Sequence, residues 1–193
     1  GTAYISVDLH QMGDFDPYIY KTEDYGKSWK RISSDIPKSY SSFVHVVKED
    51  PIQSGVLYAG TDNGVYVSVD DGDNWTRIKN NLPPAPVYWI SLQENFDDMV
   101  IGTYGRGFYI LDDISPFREL ANANKENVNF MPVQDAYRFQ TIQSIKNDGA
   151  SLIRGQNPAY GANLDFFLPD TNAKDISIAI HDQNGNEIRK LTQ

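Results

Sequence analysis

The chain has 193 residues, 17 basic against 26 acidic side chains for a formal net charge of -9, 40% hydrophobic and 12% aromatic residues, and no cysteine. That length suits one large or two modest domains with a sizeable core, and the aromatic content separates it from charged, disordered segments. The lack of cysteine excludes disulfides, thiolate zinc sites and a cysteine nucleophile, and the lack of clustered Lys and Arg excludes sequence-independent binding to nucleic acid or to an anionic membrane.

The opening residues Gly1-Thr2-Ala3-Tyr4-Ile5 lack the basic and hydrophobic regions of a signal peptide and start almost directly in strand-like sequence. The chain is therefore expected to be a piece of something longer. Short strands rich in Val, Ile and Tyr, bounded by Gly, Pro, Asn or Asp, are expected at Ala3 to Val7, Tyr18 to Lys21, Phe43 to Lys48, Val56 to Gly60, Val65 to Val69, Tyr88 to Gln93, Met99 to Thr103 and Phe108 to Leu111. No segment up to residue 113 carries a sustained helical period. Apolar runs such as Gly107 to Leu111 fall far short of the about 20 residues that span a bilayer. Ser115 to Leu120 reads as a short helical turn with Ser115 at the N-cap and Pro116 at N1. A polar linker follows to Asn129, then an extended segment from Phe130 to Ile145. A second β unit is expected from about Asn157, with strands at Ala162 to Leu168, Ile176 to Ile180 and Glu187 to Leu191, the last two joined by a two-residue Asn184-Gly185 turn.

The first part of the chain repeats itself. Thr22 to Trp29 and Ser68 to Trp75 both read [ST]-x-D-x-G-x-x-W, with the Asp, Gly and Trp each 46 residues apart. A degenerate third copy runs from Gly102 to Tyr109, echoing Gly60 to Tyr66, and stops after Asp112-Asp113. A period of about 45 residues holding about four short strands is the size of one β-propeller blade. Within the motif, Asp24 and Asp70 suit acceptors for the backbone of a tight turn, Gly26 and Gly72 suit a positive φ, and Trp29 and Trp75 suit covers for the hairpin. These six residues are read as structural.

This motif is identified as the Asp-box or BNR repeat of sialidases, sortilin-type receptors and several propeller glycoside hydrolases. With Asp50-Pro51, Tyr58-Ala59-Gly60-Thr61, Asn80-Asn81-Leu82-Pro83 and Tyr104-Gly105-Arg106-Gly107, the chain from about Thr2 to Leu120 resembles the last blades of large secreted bacterial BNR-repeat proteins, which are similar to sortilin-type propellers and are labelled glycosyl hydrolases. The resemblance implies a partial propeller over residues 1–120, a linker over 121–150 and the start of an immunoglobulin-like sandwich over 151–193. It also implies a secreted or periplasmic location.

A glycoside hydrolase needs two carboxylates flanking the scissile bond, and no spacing here identifies such a pair. Asp62, in a loop between two blade strands, is the best placed to meet a ligand; the other reading is a turn residue beside Asn63-Gly64. Arg106, framed by two glycines after Tyr104, either reaches a ligand carboxylate or sugar hydroxyl or pairs with an acidic neighbour. A sialidase site would need several converging arginines, and Arg31 and Arg77 occupy repeat-equivalent positions instead. His10, His45 and His181 lack ligand spacing, and Asp182 to Glu187 lacks the calcium-loop Glu, so neither a metal nor another cofactor is expected. The expectation is an extracytoplasmic module that binds a peptide or carbohydrate ligand near Asp62, Tyr104 and Arg106; the alternative is a glycoside hydrolase whose carboxylates lie on blades outside this chain. The expected partners are those missing blades, or a second copy meeting open sheet edges.

Overall fold

The computed structural model describes residues 1–136, 161–170, 172–173 and 175–192. Among these the protein is all-β apart from one short helix, and its antiparallel sheets do not close. The first sheet contains β1 (Ala3–Val7), β2 (Tyr18–Thr22) and β3 (Lys30–Arg31), with a 3-10 turn at His10–Met12 between β1 and β2. The second contains β4 (Val44–Glu49), β5 (Leu57–Thr61), β6 (Gly64–Ser68) and β7 (Thr76–Ile78). The third contains β8 (Val87–Gln93), β9 (Asp98–Thr103) and β10 (Phe108–Leu111). Each is a meander, and the two motif hairpins lie in separate sheets, β2–β3 in the first and β6–β7 in the second.

The second sheet is covered on both faces, which explains why every residue of β5 and β6 is buried. Alternation assigns each residue to a side. Leu57, Ala59 and Tyr66 face Ile19, Ile32 and Ile36 of the first sheet and its following loop. Tyr58, Val65 and Val67 face Val87, Ile90, Met99 and Ile101 of the third. Gly60 sits at a close approach of the second and third sheets, since a Cβ there would lie 2.7 Å from the Val87 carbonyl oxygen.

In place of a fourth strand, the third sheet is followed by helix α1 (Ser115–Asn122), two residues longer than the turn the sequence suggests. Its N-cap is Ile114, not Ser115. Capping comes from one residue further out: Asp113, at φ 59°, accepts the Ser115 N–H (3.0 Å) and hydroxyl (2.6 Å) on Oδ1. Two α1 side chains tie the helix to the second sheet. Phe117 meets the Tyr58 ring, and Arg118 reaches Asp50 in the β4–β5 loop and Asp97 in the β8–β9 turn.

β11 (Asn129–Phe130) pairs with β12 (Phe166–Phe167), and β13 (Ser177–His181) pairs with β14 (Glu187–Thr192). β12 occupies only two residues of the strand expected over Ala162 to Leu168. The β13–β14 loop is longer than the two-residue turn that Asn184-Gly185 suggests. Asp182 and Asn186 are bonded across it (2.9 Å), the Gly185 N–H donates to the Asp182 carbonyl (3.0 Å), and Gly185 takes φ 85°. These features define a three-residue loop closed by a left-handed glycine. The expected extended segment beyond residue 136 and the expected start of the second β unit at 155–160 lie outside the described residues.

Candidate functional site

The repeat motif is a hydrogen-bonded turn whose parts are the same in both copies. In the first, the Thr22 hydroxyl donates to Asp24 Oδ1 (2.9 Å) and accepts the Gly26 N–H (2.9 Å), while Asp24 accepts the Ser28 N–H (2.9 Å) and hydroxyl (2.6 Å). In the second, Ser68, Asp70, Gly72 and Asn74 repeat the pattern, with the Asn74 amide group replacing the Ser28 hydroxyl. Gly26 and Gly72 take φ 83° and 90°, and Tyr25 and Asp71 before them sit at φ 61°. These donors keep the carboxylates ionised. The Ser28 hydroxyl and N–H, with Thr22, lower the Asp24 pKa to about 2. At Asp70 burial opposes ionisation, but Asn74 and Ser68 outweigh it and hold the carboxyl below its usual range. Because the folded values lie below the unfolded carboxylate value near 3.9, this stabilisation is complete above about pH 4 and is lost as pH falls toward about 2. Acid titration followed by circular dichroism should therefore show unfolding across that window, displaced to higher pH by Asp24→Asn combined with Asp70→Asn.

The two tryptophans part company. Trp75 is 6% exposed, packed against Ile32 and Ile36, with its indole N–H donating to the Ile32 carbonyl (2.6 Å) and its backbone N–H to Asp35 (2.9 Å). Trp29 is 41% exposed and donates only to the Gly26 carbonyl of its own turn (3.2 Å). The expectation that each covers its own hairpin holds for Trp29, whose ring lies beside Gly26 of its own turn, and is corrected for Trp75, which packs on the sheet before its own.

A second set of repeat-equivalent positions converges on one face. The registers of both β4 and β8 slip by one residue, between Val44 and Val46 and between Val87 and Trp89, so His45 and Tyr88 are the bulged residues. A bulge breaks the period of two and re-aims a side chain. Accordingly Val44 and Val47 share one face, Val87 and Ile90 share another, and the intervening rings turn toward each other. His45 and Tyr88 stack at 4.0 Å between centroids and 19° between planes. The residue after the strand that precedes and pairs with β2, β6 or β10, namely Asp8 after β1, Asp62 after β5 and Tyr104 after β9, completes the cluster. The Asp62 N–H donates to the Phe43 carbonyl (3.2 Å), and the Tyr104 N–H donates to the Pro86 carbonyl (2.9 Å), which fixes the two as counterparts.

The His45 side chain is 5% exposed, with Nδ1 3.6 Å from Asp8 Oδ2 and Nε2 3.3 Å from Asp62 Oδ1. Burial opposes ionisation of Asp8, but the His10 N–H and ring, with His45, hold its carboxyl below the usual range. Tyr104 lies 5.8 Å from Tyr88 and is largely exposed. Asp62 and Tyr104 are thus brought together through His45 and Tyr88. Arg106 is exposed on the same β9–β10 loop and pairs with no carboxylate among the described residues. The Thr103 hydroxyl donates to the Gly107 carbonyl (2.7 Å) as Thr61 donates to Gly64 (3.1 Å), so the third loop carries its one extra residue there. Asp112, whose carboxyl is pushed up by burial and by Asp98 beside it, follows the other end of β10. Among the described residues no group of His, Asp and Glu is arranged to hold a metal ion.

No protein-family profile and no curated protein sequence matches this chain. What the fold and site define is an all-β protein in which the hydrogen bonds of a repeated turn recur, while the positions at one face carry different side chains.

Proposed function

We propose that this chain is the C-terminal part of an extracytoplasmic Asp-box β-propeller, the last β-strands belonging to an immunoglobulin-like unit, and that it acts as a peptide- or glycan-binding module. Three consecutive meander sheets packed face to face support the blade reading, as does the placement of β4 alongside both β1 and β8. The observation that carries the binding reading is the convergence of bulged His45 and Tyr88 with Asp62 and Tyr104 from loops of two sheets. Solvent-facing aromatic rings beside a few fixed polar groups are what small ligand sites are made of. Asp8 and Asp62 both address His45 rather than standing as an independent acid and base, which favours binding over hydrolysis. Arg106 extends the same face with a cation.

The test is a solid-phase screen of the full-length parent against glycans and peptides, followed by titration of the best binder. Tyr104→Ala and Asp62→Ala are each expected to weaken that binder by about tenfold or more, the effect of losing a hot-spot contact. Undiminished binding by both variants removes the site, and turnover of a glycan abolished by a carboxylate substitution replaces binding with hydrolysis.

A further inference from the structure

The third sheet ends one strand short. β3 closes the first sheet on β2 and β7 closes the second on β6, whereas β10 has no strand beyond it among the described residues. Register makes Ile19, Val65 and Phe108 counterparts, opposite Ser6, Gly60 and Gly102 on the strand before each. Ile19 turns both backbone groups toward β3: its carbonyl accepts the Ile32 N–H (2.9 Å), and its N–H donates to the Ser33 hydroxyl (3.0 Å). Phe108 therefore presents the same donor and acceptor along an open edge. Phe108 is 82% and Ile110 62% exposed, where their counterparts Val65 and Val67 are buried. The closing strands also share a side chain. Arg31 stands opposite Tyr20 and Arg77 opposite Tyr66, and each sends Nη2 back to a carbonyl ahead of the strand, Pro17 (2.7 Å) or Asn63 (2.5 Å). A Cβ on Gly64 would meet the Arg77 guanidinium at 3.3 Å, while one on its counterpart Gly107 would meet nothing within 4 Å. That slot is open beside Tyr109, and the residue in the place of Pro17 and Asn63 is Arg106, a cation with no carboxylate partner among the described residues.

We infer that the β10 edge takes an extended peptide of a partner protein as an antiparallel fourth strand, with a carboxylate residue opposite Tyr109 and apolar residues opposite Phe108 and Ile110. This rests on the binding-module reading above and specifies its ligand as a peptide. An unpaired edge recognises a strand through main-chain hydrogen bonds, which a glycan cannot reproduce, and alternate side chains add specificity. Apolar residues opposite Phe108 and Ile110 repeat the cross-strand pair that Ile78 makes with Val65. Opposite Tyr109 the Arg of β3 and β7 is the wrong residue, because it would bring a second cation to Arg106, whereas a Glu supplies the countercharge. The other end of the edge sets no charge, because Asp112 there lines a cavity together with Arg77 and Lys79.

The probes are synthetic peptides with the core Val-Glu-Val, the same peptide with the core Val-Arg-Val, and the Glu peptide N-methylated at its second valine, the residue placed opposite Phe108. Each is titrated calorimetrically into the 193-residue chain and into the full-length parent. Both proteins are expected to bind the Glu peptide about fivefold more tightly than the Arg peptide, the scale of one exposed ion pair. N-methylation should abolish binding, and the Glu peptide should protect the Phe108 N–H from hydrogen exchange. Arg106→Glu should reverse the order of the two cores. Undiminished binding of the N-methylated peptide, or no binding of the Glu peptide, overturns strand addition. An order that Arg106→Glu leaves unchanged overturns the charge assignment, and binding by the chain but not by the parent gives the edge to the parent's own strand and overturns the partner. The binding-module reading fails separately, when Tyr104→Ala and Asp62→Ala leave its best binder undiminished.

Discussion

Replacing Arg118 with alanine is expected to cost about 3 kcal/mol or more of folding stability, the range found when a buried ion pair loses one partner. The Asp50 side chain is completely buried and receives Arg118 Nε on both oxygens, at 2.9 and 3.0 Å. It also accepts the N–H groups of Ile52 and Gln53, each at 2.9 Å, and the Tyr58 hydroxyl at 3.2 Å. Arg118 Nη1 meanwhile reaches Asp97 at 2.5 Å. One guanidinium thus bridges carboxylates contributed by the second and third sheets from a helix that follows both. Without it Asp50 remains buried with hydrogen-bond donors but no countercharge. Burial and the Asp50 charge push the Tyr58 hydroxyl up, so the phenol stays protonated and cannot take up the imbalance. Arg118→Lys should recover only part of the loss, because an ammonium is a point charge and cannot address both carboxylates with a planar fork. Urea unfolding of the three proteins tests this; a loss below about 1 kcal/mol for the alanine variant would assign the pair to the inconsequential surface class.

Trp75→Ala should cost about 3–5 kcal/mol, and Trp29→Ala less than about 1 kcal/mol, although the two residues hold the same place in the repeat. The difference is in what each ring touches. Removing Trp75 opens a void between the first and second sheets beside Ile32, Ile36 and Tyr66, and leaves the Ile32 carbonyl without its indole donor. Removing Trp29 takes away a ring that is two-fifths exposed and bonded only within its own turn. The comparison is made by denaturation of the isolated chain, and equal costs would refute the packing account. Covering the Trp29 face with a further sheet should raise its cost toward that of Trp75.

Much of the scaffold was legible because local chemistry specifies it. The [ST]-x-D-x-G-x-x-W pattern encodes its own hydrogen bonds, and the Val- and Ile-rich runs marked the strands of the three sheets within a residue or two. The short return strands Lys30–Arg31 and Thr76–Ile78 escaped because two or three residues show no alternation. Capping by Asp113 escaped because Ser115-Pro116 is itself a plausible helix start, while the residue that bonds lies outside the helix. Asp62 and Tyr104 were legible as loop residues of the repeat. His45 was not, because its role depends on a bulge, and Val44-His45-Val46-Val47 reads simply as a strand. One signal was available: Val87-Tyr88-Trp89-Ile90 breaks alternation in the same way at the corresponding place. Asp8 was not legible because the first motif copy begins at Thr22, downstream of the strand that makes Asp8 the counterpart of Asp62.

The division between fixed and variable positions gives the molecule an unusual tolerance. Residues that fold the turns, Thr22 or Ser68, Asp24 or Asp70 and Gly26 or Gly72, belong to the β2–β3 and β6–β7 hairpins, whereas Asp8, Asp62 and Tyr104 stand at the opposite ends of the strands, beyond β1, β5 and β9. A carboxylate and a phenol occupy counterpart sites there, on backbones held by the same carbonyl bond. Recognition chemistry on such a frame can be rewritten one loop at a time, as letters are exchanged in a type case, without recasting the parts that make the protein fold.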